Sequence, residues 1–312
     1  MCGARSAPSA LLEVAAAGGH ALLLRGAPGC GKTMLARRLS GLLPPLEFDE
    51  AVEVTRIHSA AGQLGADLPF ARERPFRAPH HTASPAGLLG GGNPPAAGEV
   101  SLAHRGVLFL DELPEFERRT LESLRQVIES HRVVIARART SCVFPAQFQL
   151  VAALNPCPCG WRGSPQRDCR CDDAAVARYA ARISGPLLDR IDLQIDVEAV
   201  PWRELERPGG GAGSEEVRAR VVAARRFRTS GPAGLRGSSN AQLPDDSLDD
   251  LVAATPEARQ LLGRAVDRLA LSARGARRVL KVARTIADLA EERQTGPAAI
   301  AEALSYRCGP AG

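Results

Sequence analysis

Short apolar runs recur along the first two thirds of the chain, separated by longer segments with helical periodicity. Runs of about four to eight apolar residues bounded by charged or turn-forming residues are typical of buried strands. Four segments fit this description: Ala21–Arg25, Val107–Leu110, Gln149–Leu154 and Leu193–Val197. Because strands that alternate with helices form parallel sheets, the pattern predicts an α/β fold in which helices cover both faces of a parallel sheet.

The pattern changes in the last third of the chain, where only helical signals remain. Glu215–Arg228 is one candidate helix, Thr255 and Pro256 supply the start of a second, and Ser272 begins a third. The third helix places four apolar residues on one face: Val279, Val282, Ile286 and Leu289. These signals predict a small helical bundle.

A change in composition separates the two parts. Residues 208–214 consist mainly of glycine, with one proline, which is typical of a flexible linker. We therefore expect an α/β domain over residues 1–205, a linker over 206–214 and an all-α domain over 215–312.

Hydropathy and charge exclude a membrane-spanning helix and favour a cytoplasmic protein. The sequence has no apolar run of about 18 residues, and its first residues lack the charged and apolar regions of a signal peptide. The formal net charge is +5, a mild excess that permits a nucleic-acid partner without requiring one.

A glycine-rich turn lies between the first predicted strand and a helical segment, Thr33–Leu43. It matches the pattern G-x-x-x-x-G-K-[ST] with these residues: Gly26, Ala27, Pro28, Gly29, Cys30, Gly31, Lys32 and Thr33. In this context the backbone N–H groups surround the phosphates of a nucleotide, Lys32 reaches the β- and γ-phosphates, and the Thr33 hydroxyl binds Mg²⁺. A chance glycine turn is the alternative, but Lys32 is one of only two lysines in an arginine-rich chain. The motif predicts binding of ATP with Mg²⁺.

Two carboxylates follow the apolar strand Val107–Leu110. Asp111, at the end of that strand, would hold the metal ion through water or through Thr33, and Glu112 would polarise the attacking water. Alone, the pair could merely cap the next helix. Together with a phosphate loop upstream it favours hydrolysis of ATP over binding alone.

Four of the eight cysteines are clustered in a short polar segment, residues 156–172. Cys157 and Cys159 form one C-x-C pair, and Cys169 and Cys171 form another. Four thiolates suit tetrahedral Zn²⁺, and the segment has little apolar material to fold around otherwise. Free thiols remain an alternative, and redox catalysis a weaker one.

Several longer segments resemble the magnesium-chelatase-like family of AAA+ ATPases. They are Arg74–Thr82, Gly98–Glu112, Asn155–Gly160, Ile183–Asp192 and Leu271–Leu289. The resemblance implies a phosphate-loop ATPase with a helical lid that assembles as a homo-oligomer, expected to be a hexameric ring. Within the family the chain is most similar to competence-associated helicases, which implies translocation on DNA. Remodelling of a protein partner, as magnesium chelatase subunits perform, is the alternative. That helicase branch carries a further N-terminal domain similar to the Lon protease fold, so this chain is expected to be either a fragment or a sequence with a misassigned start.

The resemblance also implies roles for polar residues outside the phosphate loop. Asn155 ends an apolar strand and is similar to sensor 1, which holds the lytic water; an Asn-Pro turn is the alternative. Arg190 is similar to the arginine finger that reaches the neighbouring subunit's γ-phosphate, although it could instead pair with an adjacent aspartate. Arg274 is similar to sensor 2 on the lid, with Arg277 and Arg278 as rivals.

The segment His131–Pro145 has β-branched runs on either side of a basic tip, which predicts a β-hairpin. Arg137 and Arg139 at this tip would contact DNA phosphates inside a ring, with the Gly- and Pro-rich segment Ala83–Pro95 as a companion loop. A solvated charged turn is the alternative. His80 and His81 are expected to pack in their loop, since adjacent residues rarely face one metal.

Overall fold

The computed structural model describes residues 8–64, 70–137, 140–199, 213–230 and 239–307, and for Pro8, Arg137 and Thr140 only the backbone. The helices of these residues are α1 (Pro8–Gly18), α2 (Lys32–Leu42), α3 (Phe48–Ala60), α4 (Pro85–Leu89), α5 (Glu99–Leu102), α6 (Arg118–Ser130), α7 (Asp173–Ala180), α8 (Gly185–Leu188), α9 (Ser214–Thr229), α10 (Leu248–Val252), α11 (Pro256–Leu269), α12 (Ala273–Leu289) and α13 (Pro297–Ser305). The strands are β1 (Leu22–Arg25), β2 (Phe76–Arg77), β3 (Gly90–Gly91), β4 (Ala96–Ala97), β5 (Val107–Leu110), β6 (Arg132–Arg137), β7 (Thr140–Pro145), β8 (Gln149–Leu154) and β9 (Leu193–Asp196).

Five strands form the main sheet, in the order β2-β5-β8-β1-β9. β5 pairs in parallel with β2 on one side and with β8 on the other. All four residues of β5 are buried, as expected of an apolar strand covered on both faces. The predicted α/β class is confirmed, and the four predicted strands are present with boundaries that differ by at most one residue.

The chain folds as two compact units. One comprises Leu24–Ser40 and Pro45–Arg190, and the other comprises Met1–Leu23, Gly41–Pro44 and Ile191–Gly312. The predicted linker, residues 206–214, lies almost entirely outside the described residues, so the domain boundaries drawn from composition stay a prediction.

In the second of these units, α1 packs against α9 and α12. The buried carboxylate of Glu13 on α1 forms an ion pair with Arg220 on α9. Arg225, also on α9, donates hydrogen bonds to the carbonyl oxygens of Ala16 and Ala17 near the end of α1. The last carbonyl groups of a helix have no partner within that helix. Arg225 of α9 therefore caps the C-terminal end of α1.

The helix α12 begins after the N-cap Ser272, as the sequence predicts, but its buried face is broader than its apolar stripe. Arg284, Thr285 and Asp288 are buried, whereas Ile286 is only half-buried. These polar groups are tolerated because they are paired. Arg284 contacts Asp288 at 3.0 Å, and Asn240 donates to Asp288 at 2.7 Å.

A buried histidine joins this polar face to the start of β9. His20 lies 2.7 Å from the Thr285 hydroxyl through Nε2 and 3.3 Å from Asp192 through Nδ1. Asp192 also forms an ion pair with Arg278. Although burial opposes ionisation, hydrogen bonding from His20 and the charge of Arg278 hold the pKa of Asp192 far below its usual range.

The other unit contains two small antiparallel hairpins besides its part of the sheet. The predicted hairpin is confirmed as β6 and β7, which pair from Arg132↔Pro145 to Arg137↔Thr140. The predicted companion loop folds as α4 followed by the short pair of β3 and β4. Within the described parts of the chain, no helix is both long and apolar enough to cross a membrane.

Candidate functional site

Three adjacent strands of the sheet end at the same edge. The phosphate-loop residues follow β1, Asp111 follows β5, and Asn155 follows β8. The backbone N–H of Gly26 donates to the Leu154 carbonyl oxygen at 3.2 Å, which ties the beginning of the phosphate loop to the end of β8. Ligands of α/β proteins bind beyond the carboxyl ends of the strands, and these residues lie there.

The phosphate loop needs glycine at two positions. Gly29 has a φ of 78° and Gly31 a φ of 93°, in the left-handed region that other residues rarely adopt. The loop ends at Lys32, the first residue of α2, so its backbone leads directly into a helix N-terminus. Free N–H groups and the helix dipole at such a terminus favour an anion.

Lys32 carries a positive charge although it is buried, with only 7% exposure. Its Nζ donates to the carbonyl oxygens of Gly26 and Ala27 at 2.7 and 2.9 Å. It also donates to Oδ1 of Asn155 at 3.1 Å. These three acceptors are neutral oxygens, and a longer contact of 3.9 Å joins Nζ to Cys30 Sγ. Among the residues that the structure describes, these contacts satisfy the hydrogen bonds of the ammonium group but supply no negative charge, as expected of a site that receives an anionic ligand.

Thr33 and Asp111 meet across the site. The Thr33 hydroxyl donates to Asp111 Oδ2 at 3.0 Å, and the other carboxylate oxygen accepts from the backbone N–H of Glu112 at 2.9 Å. A hydroxyl and a carboxylate beside a phosphate loop are hard oxygen ligands, which fits Mg²⁺. Thr33 and Asp111 are thus the residues that would hold the metal.

Glu112 stands in a strained backbone conformation, with a φ of 52° and a ψ of 46°. Left-handed backbone is costly for residues other than glycine and is found disproportionately at active sites. Its side chain is about half exposed, and Oε2 lies 3.1 Å from Nδ1 of His81. The conformation directs a carboxylate toward solvent beside Asp111, where a water molecule can reach it.

Two residues of this site could not be found by sequence reasoning. His81 faces Glu112, whereas its neighbour His80 accepts a hydrogen bond from the Thr82 hydroxyl at 2.8 Å. Tyr179 on α7 is hydrogen-bonded to the backbone of Asn155, and burial together with the charge of Glu115 raises its pKa to about 12. Both residues lie far in sequence from the groups they contact, so no spacing pattern points to them.

The four clustered cysteines converge as the sequence predicts. Their sulfur atoms all lie within 4.8 Å of one another, and Cys157 is fully buried. Cys157 Sγ lies 3.4 Å from Cys159 Sγ and 3.7 Å from Cys169 Sγ. Hydrogen bonds from the backbone of Arg170 and Trp161 lower the pKa of Cys159 to about 6. Four-coordinate zinc with Zn–S bonds of about 2.3 Å separates its sulfurs by about 3.8 Å, so the distances among Cys157, Cys159 and Cys169 are compatible with that ion.

Arg190 is buried, with 4% exposure. It forms an ion pair with Glu129 of α6 and donates from NH1 to the Pro186 carbonyl oxygen. Glu129 is therefore a carboxylate partner of Arg190 that lies far from it in the sequence. A role toward a neighbouring subunit requires this pair to open.

The three arginines considered for sensor 2 differ in their surroundings. Arg274 is exposed, Arg277 pairs with Asp245 at 3.0 Å, and Arg278 pairs with Asp192. Arg277 is exposed as well, so exposure does not distinguish it from Arg274, and the role of Arg274 stays a prediction. The side chain of Arg137 and the whole of Arg139 lie outside the described residues.

Comparison with known proteins covers nearly the whole chain. The family described as magnesium chelatase, subunit ChlI, matches residues 1–205, and the one described as magnesium chelatase, subunit ChlI C-terminal, matches residues 211–307. Competence protein ComM of Haemophilus influenzae is 45% identical over 303 residues, which is 95% of this chain and 57% of that protein. YifB of Salmonella typhimurium, an uncharacterized protein, is 45% identical over 302 residues, with the same coverage.

A more distant similarity involves a eukaryotic protein. DNA replication licensing factor MCM7 of Oryza sativa is 28% identical over 151 residues, which is 44% of this chain and 20% of that protein. The chain spans a little over half the length of ComM and YifB. Both family matches and the two bacterial relatives agree with the fold. The chain belongs to the magnesium-chelatase-like family of AAA+ proteins.

Proposed function

We propose that this chain binds ATP with Mg²⁺ and hydrolyses its γ-phosphate. The observation that carries the proposal is the buried ammonium group of Lys32, held by neutral oxygens at a helix N-terminus. A nucleotide triphosphate would supply the missing negative charge. Mg²⁺, when bound, would neutralise charge on the β- and γ-phosphates and orient them.

Each remaining residue of the site has a distinct role in this proposal. Thr33 and Asp111 hold the metal ion, and the phosphate-loop backbone binds the phosphates. Glu112 accepts a proton from the attacking water, which requires its carboxylate to face that water as well as His81. Asn155, now bonded to Lys32, can place its amide on the same water once a phosphate takes over the ammonium group.

Glu112→Gln should retain ATP binding and reduce turnover by about 100-fold or more, because an amide cannot accept the proton from water. Lys32→Ala should instead weaken ATP binding. ATP affinity and phosphate release are the measurements. Glu115→Gln serves as a matched control, since Glu115 lies on the same turn but pairs with Arg182. Turnover by Glu112→Gln at the rate of the Glu115→Gln control would remove Glu112 from the mechanism.

We further propose that the chain works as a ring, with six copies as the expected number, and that the ring moves along DNA. The hairpin of β6 and β7 supports this proposal because its strands pair as far as Arg137↔Thr140, and the sequence at this turn contains Arg137 and Arg139. The likeness to a DNA replication licensing factor supports it independently. A second candidate, ATP-driven remodelling of a protein partner, is favoured by the two matches to magnesium chelatase subunits.

Stimulation by DNA distinguishes these two functions. Single-stranded DNA should raise ATP turnover severalfold at about 50 mM salt, and the stimulation should fade as salt rises, because phosphate contacts release counterions. Arg139→Ala should weaken the stimulation and leave basal turnover unchanged, with Arg132→Ala on the same hairpin as a control. ATP turnover that is indifferent to DNA at low salt would favour the protein-remodelling function.

Arg190 is proposed to act across a subunit boundary. An Arg190→Ala protein should bind ATP normally and hydrolyse it slowly, while its phosphate loop stays intact. Mixing it with a Lys32→Ala protein should restore part of the activity, because some interfaces then combine an intact loop with an intact arginine. Co-assembly is verified first by size-exclusion chromatography. Verified mixed rings without any recovered turnover would leave Arg190 as a structural partner of Glu129.

The four-cysteine cluster is proposed to hold one structural Zn²⁺. Protein purified under reducing conditions without chelators should contain about one zinc per chain by elemental analysis, and changing both Cys169 and Cys171 to Ser should release it. Cys142→Ser is the control, because Cys142 lies on β7, apart from the cluster. A wild-type protein that contains no zinc would favour free thiols.

A further inference from the structure

The segment that contains the four cysteines, residues 156–172, connects two parts of the candidate nucleotide site. It starts directly after Asn155, whose amide oxygen accepts from Lys32. It ends at Asp172, the N-cap of α7, whose carboxylate accepts from the backbone N–H of Ala175 at 2.6 Å. Tyr179 on this helix is hydrogen-bonded to the backbone of Asn155, the residue at which the segment began. We call this segment the cysteine loop.

Gly160 of the cysteine loop lies directly against the phosphate loop. A methyl group at this position would fall 2.6 Å from Cδ and 2.7 Å from Cγ of Pro28, and 3.8 Å from Cγ of Asn155. Real Cβ atoms essentially never lie closer than 3.0 Å to atoms of residues elsewhere in the chain. The backbone of one loop therefore contacts the proline ring of the other, and only glycine allows this approach.

The position of Gly160 is set by the cysteines around it. Its backbone N–H donates to the Cys157 carbonyl oxygen at 2.9 Å, and its φ of 83° turns the chain between Cys159 and Trp161. Cys157 and Cys159 contribute two of the four converging sulfur atoms. Any ion that holds those sulfurs also holds the turn that contacts Pro28.

We infer that the cysteine loop supports the phosphate loop, with Gly160 as a positioning residue for nucleotide binding. Because a metal ion would hold the cysteine loop in place, metal occupancy of this loop sets the affinity for ATP. This inference rests on the proposed function, both for ATP and for zinc. In this inference neither Gly160 nor any cysteine of the loop binds the phosphates directly. Their effect passes through Pro28 and Asn155, at the beginning of the phosphate loop and at the partner of Lys32.

The chain offers a matched pair of glycines to test this inference. Gly163 lies in the same loop and also has a positive φ, 74°, but a methyl group there would meet no atom within 4 Å. Gly160→Ala and Gly163→Ala thus share the backbone cost of a left-handed alanine, and only the first adds a collision with Pro28. Binding of ATP labelled with a fluorescent N-methylanthraniloyl group is measured for both, together with zinc content and circular dichroism.

We expect Gly160→Ala to retain its zinc and its fold. It should bind the labelled ATP about tenfold more weakly than Gly163→Ala, because the added methyl group overpacks the contact with Pro28. Equal affinities of the two variants would overturn the inference. Failure of the wild-type protein to bind labelled ATP is a different result, and it would contradict the proposed function itself.

A double variant protects the test against general damage by Gly160→Ala. Replacing the proline ring, as in Pro28→Ala, makes room for the added methyl group. The double variant should therefore bind labelled ATP more tightly than Gly160→Ala alone, which is the non-additivity expected of residues in direct contact. Effects of the two substitutions that simply add would contradict the contact.

The role of the metal is tested on the wild-type chain. Protein stripped with a zinc-selective chelator under reducing conditions, and then freed of the chelator, should bind labelled ATP at least about tenfold more weakly, and added Zn²⁺ should restore the affinity. Trp161, next to Gly160, reports the loop independently by its fluorescence in a Trp202→Phe background. Unchanged ATP affinity after verified zinc loss would overturn the dependence on metal.

Discussion

The ammonium group of Lys32 is the constraint on which the arrangement of the sheet edge depends. Burying a charged group costs free energy unless it is paired, and the structure supplies three neutral oxygens instead of a carboxylate. Two of these oxygens come from the loop itself, and the third comes from the end of β8. Because β8 lies beside β1, Asn155 at the end of β8 can reach the ammonium group of Lys32. The phosphates of a nucleotide could then neutralise that ammonium group without any movement of the strands.

Asn155 connects this charge to the rest of the unit. Its side chain contacts Lys32, its backbone contacts Tyr179, and the cysteine loop begins at the next residue. A change in the cysteine loop is therefore transmitted to the phosphate loop by two short routes, through Asn155 and through the contact of Gly160 with Pro28. The site is held together by these local contacts among loops, over a sheet whose strands fix where each loop begins.

Much of this site could be predicted from the sequence because its signals are local. The phosphate loop is a contiguous motif, Asp111 and Glu112 directly follow an apolar strand, and the C-x-C pairs are close together in the chain. The same reasoning could not find His81 or Tyr179, whose partners are distant in sequence. It also missed the burial of Arg284, Thr285 and Asp288 on α12, because an apolar stripe does not reveal which polar groups will find partners. The pairing of Arg190 with Glu129 depends on how α6 packs. The sequence around Arg190 does not reveal this packing, because it offers nearby aspartates as partners instead.

The central claim is that Lys32 exchanges its neutral partners for the β- and γ-phosphates of a nucleotide. The most direct measurement is calorimetric titration of AMP, ADP and ATP, each with Mg²⁺, into the wild-type chain and into Lys32→Arg. The account predicts that affinity rises steeply from AMP to ATP in the wild type. In Lys32→Arg the rise should be largely lost, because a planar guanidinium cannot occupy the compact position of the ammonium group. Equal affinity of the wild-type chain for AMP and ATP, or an undiminished preference for ATP in Lys32→Arg, would contradict the account.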